Sequence, residues 1–108
     1  MSIVYRVDKF AVPEKAREEF WGHVGRTHAL LRTQPGFLDD ALLEQVSGPG
    51  RFNAVTIVRW TSADALPAAR DAVHAAHRAE GFDPAAFFAR AGIEADVANY
   101  VERSPVGT

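Results

Sequence analysis

The chain has 108 residues, with 12 Lys and Arg against 14 Asp and Glu, a formal net charge of −2, 47% hydrophobic residues and 24% charged ones. These values describe one globular domain with a real core and set aside the disordered, collagen-like and low-complexity classes. Cysteine is absent, which excludes disulfides, thiolate zinc sites, cysteine-held iron–sulfur clusters and a cysteine nucleophile, and makes the reducing cytoplasm the expected home.

Ile3 to Phe10 alternates Ile3, Tyr5 and Val7 with Val4, Arg6 and Asp8. The β-branched and aromatic content predicts a strand with apolar residues on both faces. Its charges come too early for a signal peptide or a membrane span, so no membrane association is expected. Pro13 suits the first turn of a helix, and Glu14, Glu18 and Glu19 suit its positive end. Phe20, Val24, Thr27 and Leu31 then share one helical face. The helix must stop by Gln34, because Pro35 disfavours helical geometry in the residue before it, and Pro35-Gly36 fits a type II turn.

Phe37 to Gln45 reads as a second strand, and Ser47-Gly48-Pro49-Gly50 as the turn of a hairpin. The adjacent Asp39 and Asp40 point to opposite faces and are expected to be a solvated rim. Phe52 to Trp60 is the strongest strand, with Phe52, Ala54, Thr56, Val58 and Trp60 on one face. Thr61 to Asp64 resembles a helix start, Ala-rich sequence continues to Glu80, and Gly81 is a natural stop. Pro67 requires a kink or a short turn before that helix. Asp83-Pro84 caps a short helix to Ala91, closed by Gly92, and Ile93 to Arg103 reads as the last strand. The domain therefore spans 1–103, with a flexible tail at 104–108.

This order is the split βαβ pattern of a ferredoxin-like α+β domain, a four-stranded antiparallel sheet with helices on one face. The other face would be bare and apolar, which predicts a homodimer closed through the open sheet face. Basic residues are scattered along the chain and offset by acids, so no nucleic-acid partner is expected.

Three segments, Phe10-x-Val12-Pro13, Gln34-Pro35-Gly36-Phe37 and Val55-x-Ile57-x-Arg59-Trp60-x-Ser62, together resemble the antibiotic biosynthesis monooxygenase family. The resemblance runs from about Ile3 to Glu102 and implies a dimeric α+β barrel. It also implies either cofactor-independent oxidation of anthrones or quinols or, as a poorer fit, haem degradation. In the anthrone oxidisers a Trp ending the third strand lines the pocket, and Trp60 matches it. Thr56 and Ile57 stand where those enzymes have Asn and Tyr, and Leu66 stands near another Tyr position. The haem-degrading members are similar in carrying an Asn on the first strand and a Trp and a His on the second long helix. Here that helix has His74 and His77 but no Trp.

Oxygenation without metal or flavin needs an ionisable aromatic substrate, an apolar pocket, a base and a donor for developing negative charge. At about 100° per residue, Leu66, Val73 and His77 fall together on the second helix, making His77 the first candidate base. His74 is rotated further out, and the pair lacks a third metal ligand. His28, one turn beyond Val24, is the second candidate, while His23 points elsewhere. The expected site thus has His77 and Trp60 as catalytic residues and Phe20, Val24, His28, Thr56, Val58 and Phe87 around a small aromatic molecule and O2. No cofactor and no metal are expected. Arg6 and Arg59 are candidates to stabilise an oxyanion, with interface ion pairs the plainer reading. The alternative is a non-catalytic dimeric small-molecule-binding module of the same fold.

Overall fold

Strand alternation sets which residues meet the helices. In a computed structural model describing residues 2–103, the strands are β1 (Val4–Ala11), β2 (Phe37–Glu44), β3 (Ala54–Trp60) and β4 (Glu94–Tyr100). Between them run helices α1 (Arg17–Leu31), α2 (Leu66–Glu80) and α3 (Pro84–Ala91). The tail expected at 104–108 lies outside the described residues. The sheet order is β2-β3-β1-β4 with every neighbouring pair antiparallel, the ferredoxin-like α+β arrangement.

Ala54, Thr56, Val58 and Trp60 are buried while Val55, Ile57 and Arg59 between them are only half-buried. The register Phe10↔Ala54, Asp8↔Thr56, Arg6↔Val58 and Val4↔Trp60 carries that helix-facing surface onto β1. Arg6 and Asp8 therefore lie under the helices, between the apolar ends of their own strand. The opposite sheet surface is formed by Val7, Val55 and Ile57, with Leu43 and Tyr100 largely exposed.

Local signals fix the turns. The Phe37 N–H donates to Gln34 O at 3.2 Å and Gly36 has φ 87°, the left-handed residue of a type II turn. Pro67 sits in the first turn of α2, where no internal hydrogen bond is lost, and a 3-10 turn (Ala63–Ala65) precedes it. The Ser62 hydroxyl accepts from the Asp64 N–H there. Asp83 accepts from the Ala85 and Ala86 N–H groups to start α3.

Three sequence expectations are corrected at element ends. Pro13 is extended and precedes a separate 3-10 turn (Glu14–Ala16), so α1 begins only at Arg17. Phe52 is not part of β3, which begins at Ala54; just before it the Asn53 side chain exchanges two hydrogen bonds of 2.8 Å with the Val12 backbone. The last strand ends at Tyr100, where its pairing with β1 runs out at Tyr5.

The core is divided. One cluster joins Phe10, Val12, Ala16, Phe20, Ala54, Phe87 and Ile93, and a smaller one joins Val58, Trp60 and Ala69, with Leu31, Phe37 and Leu66 packed against it. The gap between them is where the polar residues of β1 and β3 stand. Among the described residues no helix is long and apolar enough to cross a membrane.

Candidate functional site

The gap in the core is a cavity of two chambers, about 300 and 310 Å3, between the helices and the sheet. The first is walled by Phe10, Phe20, Val24, Phe87 and Phe88, with His23 and His77 at its edge. The second is walled by Leu31, Val58, Trp60, Leu66 and Val73, with Arg70, His74 and Asn99 around it. Arg6, Asp8, Thr27, His28 and Thr56 line both and form a polar waist. Chambers of this size hold one small ligand, and an apolar cavity with a few convergent polar groups is the ordinary form of a binding site.

His28 is the buried histidine of that waist. It is 5% exposed, and its Nδ1 lies 2.9 Å from Asp40 Oδ2 on β2. Asp40 Oδ2 also accepts from Arg32 Nε at 3.1 Å, with Arg32 Nη2 2.9 Å away as an ion pair. Burial pushes the Asp40 carboxyl upward, but its hydrogen bonds from His28 and Arg32 outweigh that and hold it below the usual carboxylate range. An ionised carboxylate can only accept, so the proton of a neutral His28 sits on Nδ1 and the Nε2 lone pair is available. No fully occluded side-chain nitrogen or oxygen among the described residues lacks a hydrogen-bond partner. Nε2 makes no hydrogen bond there, and it therefore meets open space, which is the cavity that His28 lines.

Asp40 is thus a correction to the solvated-rim expectation. Alternation does separate the two acids, since Asp39 pairs with Arg59 on the open face at 2.7 and 2.5 Å while Asp40 turns under α1. Arg6 also departs from its expected interface role, because its Nε donates to Asp8 Oδ1 at 2.6 Å within the cavity floor.

His77 is half-buried at the edge of the first chamber, with its ring edge-on to Phe82 at 5.2 Å. Burial lowers its pKa, with the His74 and His23 charges acting the same way and Glu80 opposing. It is neutral at pH 7, although no carboxylate orients it. His23, expected to point elsewhere, stacks on Phe82 at 3.8 Å and lines the same chamber. His74 is exposed, at the second chamber.

The expected site residues divide between the chambers. Phe20, Val24, Phe87 and His77 line the first, Val58 and Trp60 line the second, and His28 and Thr56 touch both. His77 and Trp60 are therefore not brought together on one ring. Trp60 is 2% exposed and meets Phe37 edge-on at 5.8 Å, so most of its surface is core. The residues missed in the sequence include Asp8, Asp40, Thr27, Arg70 and Asn99. Only the alternation that placed Thr56 inward could have flagged Asp8, its cross-strand neighbour. Among the described residues no group of three or more His, Cys, Asp or Glu is arranged to hold a metal ion.

The sequence profile described as antibiotic biosynthesis monooxygenase matches residues 3–80. No curated protein matches the sequence. Among solved structures, a mutant form of SnoaB, a cofactor-independent oxygenase from Streptomyces nogalater, is 28% identical with a TM-score of 0.68, and all of each chain is covered. The haem-degrader MhuD of Mycobacterium tuberculosis, with two haems in its active site, is 25% identical with a TM-score of 0.69, covering 96% of this chain and 99% of its own. A protein from Shewanella loihica is similar at the level of the fold, 21% identical with a TM-score of 0.69 and coverage of 96% and 99%.

Proposed function

The chain belongs to the antibiotic biosynthesis monooxygenase family, and from that premise we propose that it is a cofactor-independent monooxygenase oxidising an aromatic phenol, quinol or polyketide-like substrate with O2. The observation that carries this reading is the buried His28–Asp40 pair, whose free Nε2 opens on an apolar cavity of aromatic size.

In this reading a phenolic O–H donates its proton to His28 Nε2, and Asp40 steadies the imidazolium that forms. The phenolate passes one electron to O2, and the resulting phenoxyl radical and superoxide join at the para carbon. His28 returns its proton to the outer peroxide oxygen, and loss of water leaves a carbonyl. One phenol and one O2 give one para-quinone and one water, the substrate losing four electrons and O2 gaining them. Thr56 and Thr27, on the sheet and helix sides of the waist, are the hydroxyl donors to the peroxide.

His28 ranks above His77 as the base because a carboxylate fixes its tautomer. His77, with Phe20, Val24 and Phe87, bounds the substrate ring in the first chamber, and Trp60 and Val58 bound the second. The proposal includes a homodimer through the open sheet face and a cytoplasmic location.

Oxygen uptake by metal-stripped protein against anthrones, quinols and flavonols tests the reading, with His28→Ala, His77→Ala and Trp60→Phe alongside. Enzyme-dependent uptake lost in His28→Ala is the expected result. Silence across the panel would favour the non-catalytic binding module of the same fold.

A further inference from the structure

The two chambers differ in charge. In the first, the fixed charges are Arg6 and Asp8, which pair with each other and cancel. The second has the same pair and adds Arg70, which is exposed on α2 and pairs with no carboxylate among the described residues. His74 and His28 line it as well, and Asn99 contributes amide donors from the edge strand β4. The second chamber therefore carries an unbalanced cation beside apolar walls.

Geometry sharpens this. Asp8 engages Arg6 through Nε alone, at 2.6 Å. The two terminal amino groups of Arg6 keep their donors for another partner, and the side chain is 39% exposed to the cavity and its mouth. The register places Asn99 directly across β1 and β4 from Arg6, on the same face of the sheet. Arg6 and Asn99 thus form one edge of the chamber, and Arg70 overhangs it from the helix. A guanidinium with free terminal groups matches a planar carboxylate better than any neutral group.

We propose that the second chamber is a carboxylate subsite, so that the ligand is an aromatic acid whose ring system lies in the phenylalanine-walled chamber and whose carboxylate is held by Arg6, Arg70 and Asn99. This rests on the reading of the cavity as the substrate site, and it narrows the substrate class to aromatics with an anionic arm. The arm also fixes which way round the ring enters. With the carboxylate beyond the waist, the ring carbons nearest His28 are those close to the arm, and the far ring contacts Phe87 and Phe88.

Binding of a non-oxidisable pair separates this proposal from the oxygenase reading, since it needs no turnover. Calorimetric titration of anthracene carboxylate and its neutral primary carboxamide is the measurement, at low and moderate salt. The acid is expected to bind the wild-type protein about tenfold or more tightly than the amide, a preference that falls to about threefold in Arg70→Gln and vanishes in Arg6→Gln, as loss of charge-assisted hydrogen bonds predicts. Arg6→Gln leaves Asp8 without its partner and could unfold the domain. Arg70→Gln alters an exposed helix position and keeps the test available. Equal affinity for acid and amide, no binding of either, or an unchanged preference in Arg70→Gln would overturn the proposal. Oxygen uptake without acid preference would overturn it while leaving the oxygenase reading intact, and acid preference without uptake on any phenol would do the reverse.

Discussion

His28 Nδ1 and Asp40 Oδ2 stand 2.9 Å apart, joining helix α1 to strand β2 at a place where both side chains are nearly out of solvent. The contact orients the imidazole and leaves Nε2 facing the cavity. Asp40→Asn removes the charge while keeping the shape. It should lower kcat for oxygen uptake by about 10- to 100-fold with little change in KM, because a general base without its orienting anion loses much of its effect. Steady-state kinetics on any substrate found in the uptake screen would decide it, and an unchanged kcat would remove Asp40 from the mechanism.

The same pair shapes acid stability. The folded Asp40 carboxyl lies below its unfolded value, so its pairing contributes fully above about pH 4 and is lost as pH falls through the lower folded value. Asp40→Asn should be less stable than wild type at pH 7 and should show a shallower loss of stability on the acid side. Urea unfolding midpoints measured from pH 7 down to the acid limb would test this; parallel curves for the two proteins would contradict it.

His77 has the opposite chemistry but the same direction of pH dependence. Burial first, with the His74 and His23 charges, lowers its folded pKa, so the unfolded chain takes up a proton more readily. Its contribution is intact above the unfolded value near 6.5 and declines as pH drops below it. His77→Gln should flatten the melting temperature between pH 7 and 5, and an unaltered slope would show that protonation there costs nothing.

Val7, Val55 and Ile57 make the centre of the open sheet face, with Leu43 and Tyr100 exposed beside them. A second copy is the expected cover. Sedimentation at micromolar concentration should give twice the 11.8 kDa chain mass, and Ile57→Asp should reduce it to the monomer by placing a charge at the middle of the interface. A wild-type protein that sediments as the monomer would exclude the barrel.

Gly36 takes φ 87°, and a Cβ added there would lie 2.6 Å from the Ala65 Cβ. Gly36→Ala combines left-handed strain with a clash against the turn that leads into α2. It should cost more than about 1 kcal/mol and lower the melting temperature by roughly 5 °C. Differential scanning calorimetry would measure it.

Much of the fold was legible because each element had a local cause. The Pro35-Gly36 turn, the Asp83-Pro84 start, the Gly81 and Gly92 stops and the two-residue alternation of β3 all act within a few residues of themselves. Pro67 leaves a kink or a short turn open, and the structure has the short turn. The site was less so, because its chemistry depends on pairs far apart in sequence. His28 and Asp40 are 12 positions apart on different elements, and nothing local to Asp40 says that it turns under α1. A helical wheel gives direction and not depth, so it does not show that His28 is more deeply buried than His77. His23 lines the first chamber in contact with Phe82, just beyond the far end of α2, a neighbour that helical angle alone does not reveal.

The divided core also governs motion. Helix α1 is fastened by buried Phe20 and His28, whereas Ala69 is the one buried residue that α2 contributes. Cooperative units held by few apolar contacts open at lower free energy than the whole domain. Amide hydrogen exchange should therefore find α2 opening as a separate, weaker unit, with the β1 and β3 amides exchanging only on global unfolding. An aromatic molecule could then enter by the brief lifting of a whole helix off the sheet, and its rate of entry would be set by how firmly Ala69 and Leu66 hold that helix down.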